Sequence, residues 1–234
     1  MNKWMIRIIA VATGIACLLA LALTAVQLVA FDRARYAAAY EQYGRAEAIG
    51  ISEDDLMAVT DRLLDYLKGQ SGSLDMEAKI QGVIQPVFGE RELLHMADVQ
   101  HLFMVGFAIR RWAVIIAACG VVLLLATQKR RALYMLSWGY LAALGCFFLF
   151  AAVVGAAMAV NFNHAFTIFH QLLFTNDLWL LDPRTDVLIQ MFPEAFFEQM
   201  AVGILGWMSA SVLLPAVPAA IYGIHRRRKT RKHL

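Results

Sequence analysis

Two stretches without a charged residue, 133–160 and 200–224, limit what this chain can fold into. Each can cross a bilayer, whose hydrocarbon core takes about 20 apolar residues at about 1.5 Å each. Residues 4–31 add a third run, apolar except for Arg7 and a few small polar side chains. A fourth, 112–127, is shorter and follows the mostly apolar 101–109. Counted together as one span, these put Arg110 and Arg111 in its outer half. The first run far exceeds the roughly 7–15 residues of a signal-peptide core, so it reads as an uncleaved anchor. These runs account for a chain that is 60% hydrophobic and only 17% charged, against about half and about a quarter in a soluble domain.

Charge sets the expected orientation. Lys3 and Arg7 open the first run, Lys129, Arg130 and Arg131 fill the short link between the second and third, and Arg226, Arg227, Arg228, Lys229, Arg231 and Lys232 crowd the tail. Such residues mark the cytoplasmic side. All 18 acidic residues lie in 32–100 and 161–198. The expectation is an all-α membrane protein with four transmembrane helices and both termini cytoplasmic. Residues 1–31 hold helix 1 and 101–128 helix 2; 129–160 make a cytoplasmic turn and helix 3; 199–224 form helix 4 and 225–234 a basic tail. Residues 32–100 and 161–198 build a small, mainly α extracytoplasmic domain, the second as an interfacial or re-entrant cap. The basic surplus is an inner rim, not a nucleic-acid surface.

Within the outer segments, Ser52 is a natural N-cap, with Glu53, Asp54 and Asp55 in the first turn where carboxylates favour the helix dipole. Leu56, Val59, Leu63 and Leu67 share a helical face, and Gly69 suits the position after the C-terminus. Residues 79–88 read as a short extended pair around a turn. Residues 32–50 carry no clear period. Small residues in the third and fourth runs, Gly155 and Gly206 among them, allow close helix contacts there. Pro215 and Pro218 predict a kink near the inner end of helix 4.

Cys17, Cys119 and Cys146 fall in different apolar blocks. No outer cysteine pair exists, which disfavours a thiol–disulfide oxidase. Phosphate loops, GxSxG and HExxH are absent. Outside the bilayer the chemistry left is histidine and carboxylate. His95, His101, His164 and His170 all lie at or beyond the outer interface on this topology. A histidine exchanges protons near neutrality. His95 and Asp98 are three apart on one helix face, whereas His101 points elsewhere. Asp98 is placed to hold the His95 tautomer, and Asn176 to donate to an oxyanion. A plain interfacial histidine and a solvated Asp98 are the alternative reading. A metal site from His95, Asp98 and His170 is a third.

Residues 92–99 (ELLHMADV) and 169–197 (FHQLLFTNDLWLLDPRTDVLIQMFPEAFF), with four spans in this order, resemble the bacterial integral membrane family of lipoprotein intramolecular transacylases. The resemblance covers essentially the whole chain. It assigns the family's two functional histidines to His95 and His170, and an Asn-Asp-x-Trp pattern to Asn176, Asp177 and Trp179. Arg91, Glu92 and Asp98 match as well, while Leu94 stands where a polar residue is usual. The implied reaction moves the sn-2 acyl chain of a diacylglyceryl-modified lipoprotein to the α-amino group of its N-terminal cysteine, giving a lyso-form lipoprotein. It implies membrane lipid as a partner and neither cofactor nor metal. Two other classes stay open at this stage: a non-catalytic lipid or lipoprotein binder, and a metal-dependent lipid hydrolase.

Overall fold

The computed structural model describes residues 2–231. Its elements in chain order are α1 (Lys3–Ala30), α2 (Arg33–Tyr43), α3 (Arg45–Ile49), α4 (Glu53–Leu67), β1 (Glu77–Ile80), β2 (Val83–Pro86), α5 (Glu90–Gln128), α6 (Ala132–Val160), α7 (Phe162–Leu173), α8 (Val187–Met191) and α9 (Glu194–Arg231). A 3-10 turn, Lys129–Arg131, joins α5 to α6. Among the described residues, three segments are long and apolar enough to cross a membrane: Lys3–Ala30, Glu90–Val160 and Glu194–Tyr222. The middle one, of 71 residues, contains α5 and α6, and Lys129 between them takes φ +43°. Of the tail expected at 225–234, the α9 backbone continues to Arg231, and 232–234 lie outside the described residues.

The chain divides into two compact units. One comprises the described residues of Met1–Gln27, Phe107–Ala157 and Gly203–Leu234, a helical body. Its core gathers Leu18 from α1, Tyr140, Ala143 and Leu144 from α6, and Val212 and Ala216 from α9. The Tyr140 hydroxyl donates to the Val212 carbonyl at 2.6 Å, because a buried phenol needs an acceptor. Glycines bring α1 against both neighbours. A Cβ at Gly139 would collide with the Ala10 carbonyl, and one at Gly120 with the Thr13 hydroxyl. The close contacts are therefore here rather than at Gly155 and Gly206, which have nothing within 4 Å of a Cβ position. Small-residue content permits such contacts, and α6 uses that permission at Gly139; content alone does not reveal which face a helix turns to a neighbour. α9 holds Pro215 and Pro218 without interruption of its helical assignment.

The other unit comprises Leu28–Gly106 and Met158–Val202. Here α4 forms as its sequence predicts. The Ser52 hydroxyl accepts from the Asp55 N–H at 3.0 Å, three carboxylates occupy the first turn, and Leu56, Val59, Leu63 and Leu67 are buried. Gly69 takes φ +73°. The extended pair is an antiparallel hairpin of β1 and β2, closed by Gln81 and Gly82 at φ +51° and +86°, the signs a two-residue turn of this hand requires. The unassigned 32–50 stretch is α2 and α3, with Gly44 in the left-handed conformation between them.

Tyr36 and Tyr40, one turn apart on α2, explain why that segment is helical. Tyr36 packs edge-on against Phe192 at 5.8 Å and tilted against Phe196 at 5.2 Å. Its hydroxyl donates to the Ala30 carbonyl at 2.7 Å, capping α1. Thr60 donates to the Leu56 carbonyl, so the hydrogen in its 2.7 Å bond to Tyr40 is the phenol's. Thermal unfolding checks the cap on α4: Ser52→Ala should cost about 1 kcal/mol, while Ser52→Asp keeps most of the stability.

Candidate active site

The site is built within the second unit, from the first turns of α5 and the chain between α7 and α8. Residues 90–100, ahead of the apolar part of α5, carry Glu90, Arg91, Glu92, His95 and Asp98. Positions 91, 95 and 98 recur at helical spacing, with 92 beside them, so they present one stripe. Every side chain of that stripe meets the cap. Arg91 donates to the Asp177 carbonyl and stands 3.5 Å from its carboxylate. Asn176 donates from Nδ2 to Asp98 Oδ2 at 2.8 Å. Glu92 reaches furthest: Oε1 accepts from the Leu188 N–H and Oε2 from the Gly89 N–H, each at 2.6 Å. Its residue is only 3% exposed.

His95 and His170, 75 positions apart in sequence, are brought to a ring-centroid separation of 6.2 Å. His95 is 7% exposed and His170 8%. Around them stand aromatic walls. His170 stacks on Trp179 at 4.9 Å and meets Phe166 edge-on at 4.3 Å. Phe174 packs against both, 5.4 Å from His95 and 5.8 Å from His170. The amphipathic helix α7 presents His170 in its last turn. Asn161 caps its start, accepting from the His164 N–H at 2.9 Å.

This setting decides protonation. Burial pushes the His95 pKa down to about 4, the charge on His170 pushes the same way, and Asp98 opposes. Burial also lowers the pKa of His170, against its bond to the Phe166 carbonyl. Both rings are thus neutral near pH 7. His170 Nδ1 lies 2.7 Å from that carbonyl oxygen. A carbonyl only accepts, so Nδ1 carries the hydrogen and Nε2 keeps its lone pair. His95 Nδ1 is buried with no hydrogen-bond partner. Burial, with the nearby charge of Asp186, raises the Glu92 pKa, and the N–H groups of Leu188, Gly89 and Val187 offset this only in part.

All seven sequence candidates fall in this cluster, with two changes of emphasis. Asp98 accepts from Asn176 rather than from His95. Asn176 is itself engaged, Oδ1 accepting from the Leu178 N–H and its carbonyl from the Trp179 indole. His101 and His164 are exposed. Arg110 sits in the helical body, its guanidinium 6.0 Å from the Phe107 ring centroid. Among the described residues no three His, Cys, Asp or Glu side chains cluster to hold a metal ion.

The family model of lipoprotein intramolecular transacylase Lit matches residues 11–197. The chain belongs to the lipoprotein intramolecular transacylase family. It is therefore an acyltransferase and a membrane protein, as its long apolar helices indicate. The fold is that of the membrane-integral transacylase Lit from Bacillus cereus, at TM-score 0.78, 22% identity, and coverage of 97% of this chain and 100% of that one. A structure of the same bacterial protein with one histidine replaced by arginine matches at TM-score 0.69 and 22% identity, covering 97% and 95%. No curated protein matches.

Within this member of the family, Glu92 is the residue that inspection of side-chain types passes over, since its partners are backbone N–H groups 96 residues away. Glu92→Gln turns an amide NH2 toward those donors and should destabilise the protein by about 2 kcal/mol in thermal or denaturant unfolding. A second expectation concerns pH. His95 binds its proton less readily folded than unfolded. The folded state therefore loses stability as pH falls from about 6.5, the unfolded value, toward about 4. His95→Gln should flatten that slope in unfolding measured between these limits.

Proposed function

We propose that the chain carries the sn-2 acyl group of a diacylglyceryl-modified lipoprotein to the α-amino group of the same lipoprotein's N-terminal cysteine. The product is a lyso-form lipoprotein, N-acylated and bearing a monoacylglyceryl thioether. The observation that carries the reading is the pair of neutral, buried histidines 6.2 Å apart inside aromatic walls, in a chain of the transacylase family. In this reading the membrane is crossed four times, by α1, α5, α6 and α9. Both termini are cytoplasmic, and the unit holding the histidines faces the extracytoplasmic side.

His170 acts as base. Its Nε2 lone pair is free, and the carbonyl on Nδ1 supports the positive ring that forms. His95, with a pKa near 4, is a poor match for an ammonium whose free pKa is about 8. His170 takes a proton from the α-ammonium, and the amine attacks the sn-2 carbonyl carbon. His95 donates to the developing oxyanion, or relays the second amine proton to the glycerol oxygen as the ester C–O bond breaks. One amide C–N bond forms, one ester C–O bond breaks, the glycerol keeps a hydroxyl, and the proton on His170 returns to solvent. Donor and acceptor share one molecule, so their effective concentration is high without a carrier. Replacement of an ester by an amide supplies the driving force. Asp98, Asn176, Asp177, Trp179 and Arg91 hold the cap in register with the histidines.

The experiment is mass spectrometry of lipoprotein N-termini in a bacterial host without its own N-acyltransferase. The chain should generate lyso-form product. His95→Gln and His170→Gln should each reduce it by about 100-fold or more. Full product from both variants overturns the pair. Unchanged lipoprotein binding with no product from the unaltered chain would make it a binder instead.

A further inference from the structure

A cavity of about 440 Å³ opens in the helical body, lined by none of the histidines. All four long helices contribute to it: Thr13 and Cys17 from α1, Ala117 and Val121 from α5, Ser137 from α6, Tyr222 from α9. Tyr140 belongs both to its wall and to the packed core of Leu18, Leu144 and Val212, which closes it on that side. Its size is that of a ligand site, and its lining is apolar with a few hydroxyls. Water does not favour such a lining, whereas in a bilayer the surrounding solvent is acyl chain.

The cavity reaches Leu133, two residues beyond the turn of Lys129, Arg130 and Arg131. Those three side chains are exposed, and none forms an ion pair among the described residues. Internal neutralisation is unavailable to them. The segments that form the helical body contain no Asp or Glu at all, since every carboxylate lies within 32–100 or 161–198. An apolar slot whose wall begins two residues from a cationic turn without ion pairs complements one kind of bilayer molecule. We propose that it holds an acyl chain of an anionic phospholipid whose phosphate rests on Lys129, Arg130 and Arg131. A zwitterionic lipid offers the same chain but no net charge to the turn. The site requires that these helices span the membrane, and is independent of the histidine chemistry.

The test uses the purified full-length chain in detergent, with phosphatidylglycerol or phosphatidylcholine added as mixed micelles. Phosphatidylglycerol should raise the unfolding temperature by about 3 °C more than phosphatidylcholine. Native mass spectrometry should find it retained on the protein. Ala117→Phe, which fills the slot, and a combined Lys129→Gln, Arg130→Gln and Arg131→Gln variant should each remove that difference. Val121→Phe serves if Ala117→Phe does not fold. Leu149→Phe, at a surface position 70% exposed, should retain the difference. Equal stabilisation by the two lipids, or an undiminished phosphatidylglycerol effect when the slot is filled, overturns the site. Lipoprotein acylation by the Ala117→Phe protein keeps this outcome separate from the transacylase reading, because loss of the lipid effect alone leaves that reading intact.

Discussion

The arrangement at the histidines depends on a carboxylate buried against backbone. Glu92 accepts from the starts of two helices, Gly89 ahead of α5 and Leu188 in α8. An ionised carboxylate out of water is costly unless its oxygens are satisfied, and main-chain N–H groups at helix starts suit a negative charge. The contact therefore holds α8 at a fixed point on α5. Arg91 and Asp98 secure the intervening loop from the same stripe. With both ends of the cap held, His170 and Trp179 have little choice of position relative to His95.

Neutral imidazoles follow from that enclosure. Exposure of either ring would restore an ordinary histidine, protonated in part at neutral pH. Aromatic walls withdraw water, and His170 further disfavours charge on His95. The hydrogen bond from His170 to Phe166, one turn back on α7, selects the tautomer without a side-chain partner. A single short helix thus supplies the imidazole, its orientation and part of its apolar surroundings.

Much of this was legible before any coordinates. Charge-free runs announced the long helices, Ser52 with its three acidic followers announced α4, and a Gln-Gly pair between short apolar runs announced the hairpin. Spacing placed His95 and Asp98 on one face. The meeting of His95 with His170 came from family resemblance, since periodicity carries no information about contacts 75 residues apart. The α2–α3 stretch was opaque because its alanines fit several structures; Tyr36 and Tyr40, four apart, were the usable signal. The resemblance marked the position of Glu92, but its role was hidden for a different reason. A side chain bonded to main-chain N–H groups leaves no complementary residue type to recognise. That Gly139 and not Gly155 makes the close contact on α6 was not legible, because glycine reports permission for close approach and not the approach itself.

The stripe on α5 has one more implication. Four successive contacts, at 91, 92, 95 and 98, share a rigid helix with a single rotational setting, so they cannot be released one at a time by turning it. A rotation by one residue, about 100°, would carry all four off their partners together. Docking of the cap on α5 is in this sense quantised. One setting of the helix therefore fixes the loop after α7 and the start of α8 at once.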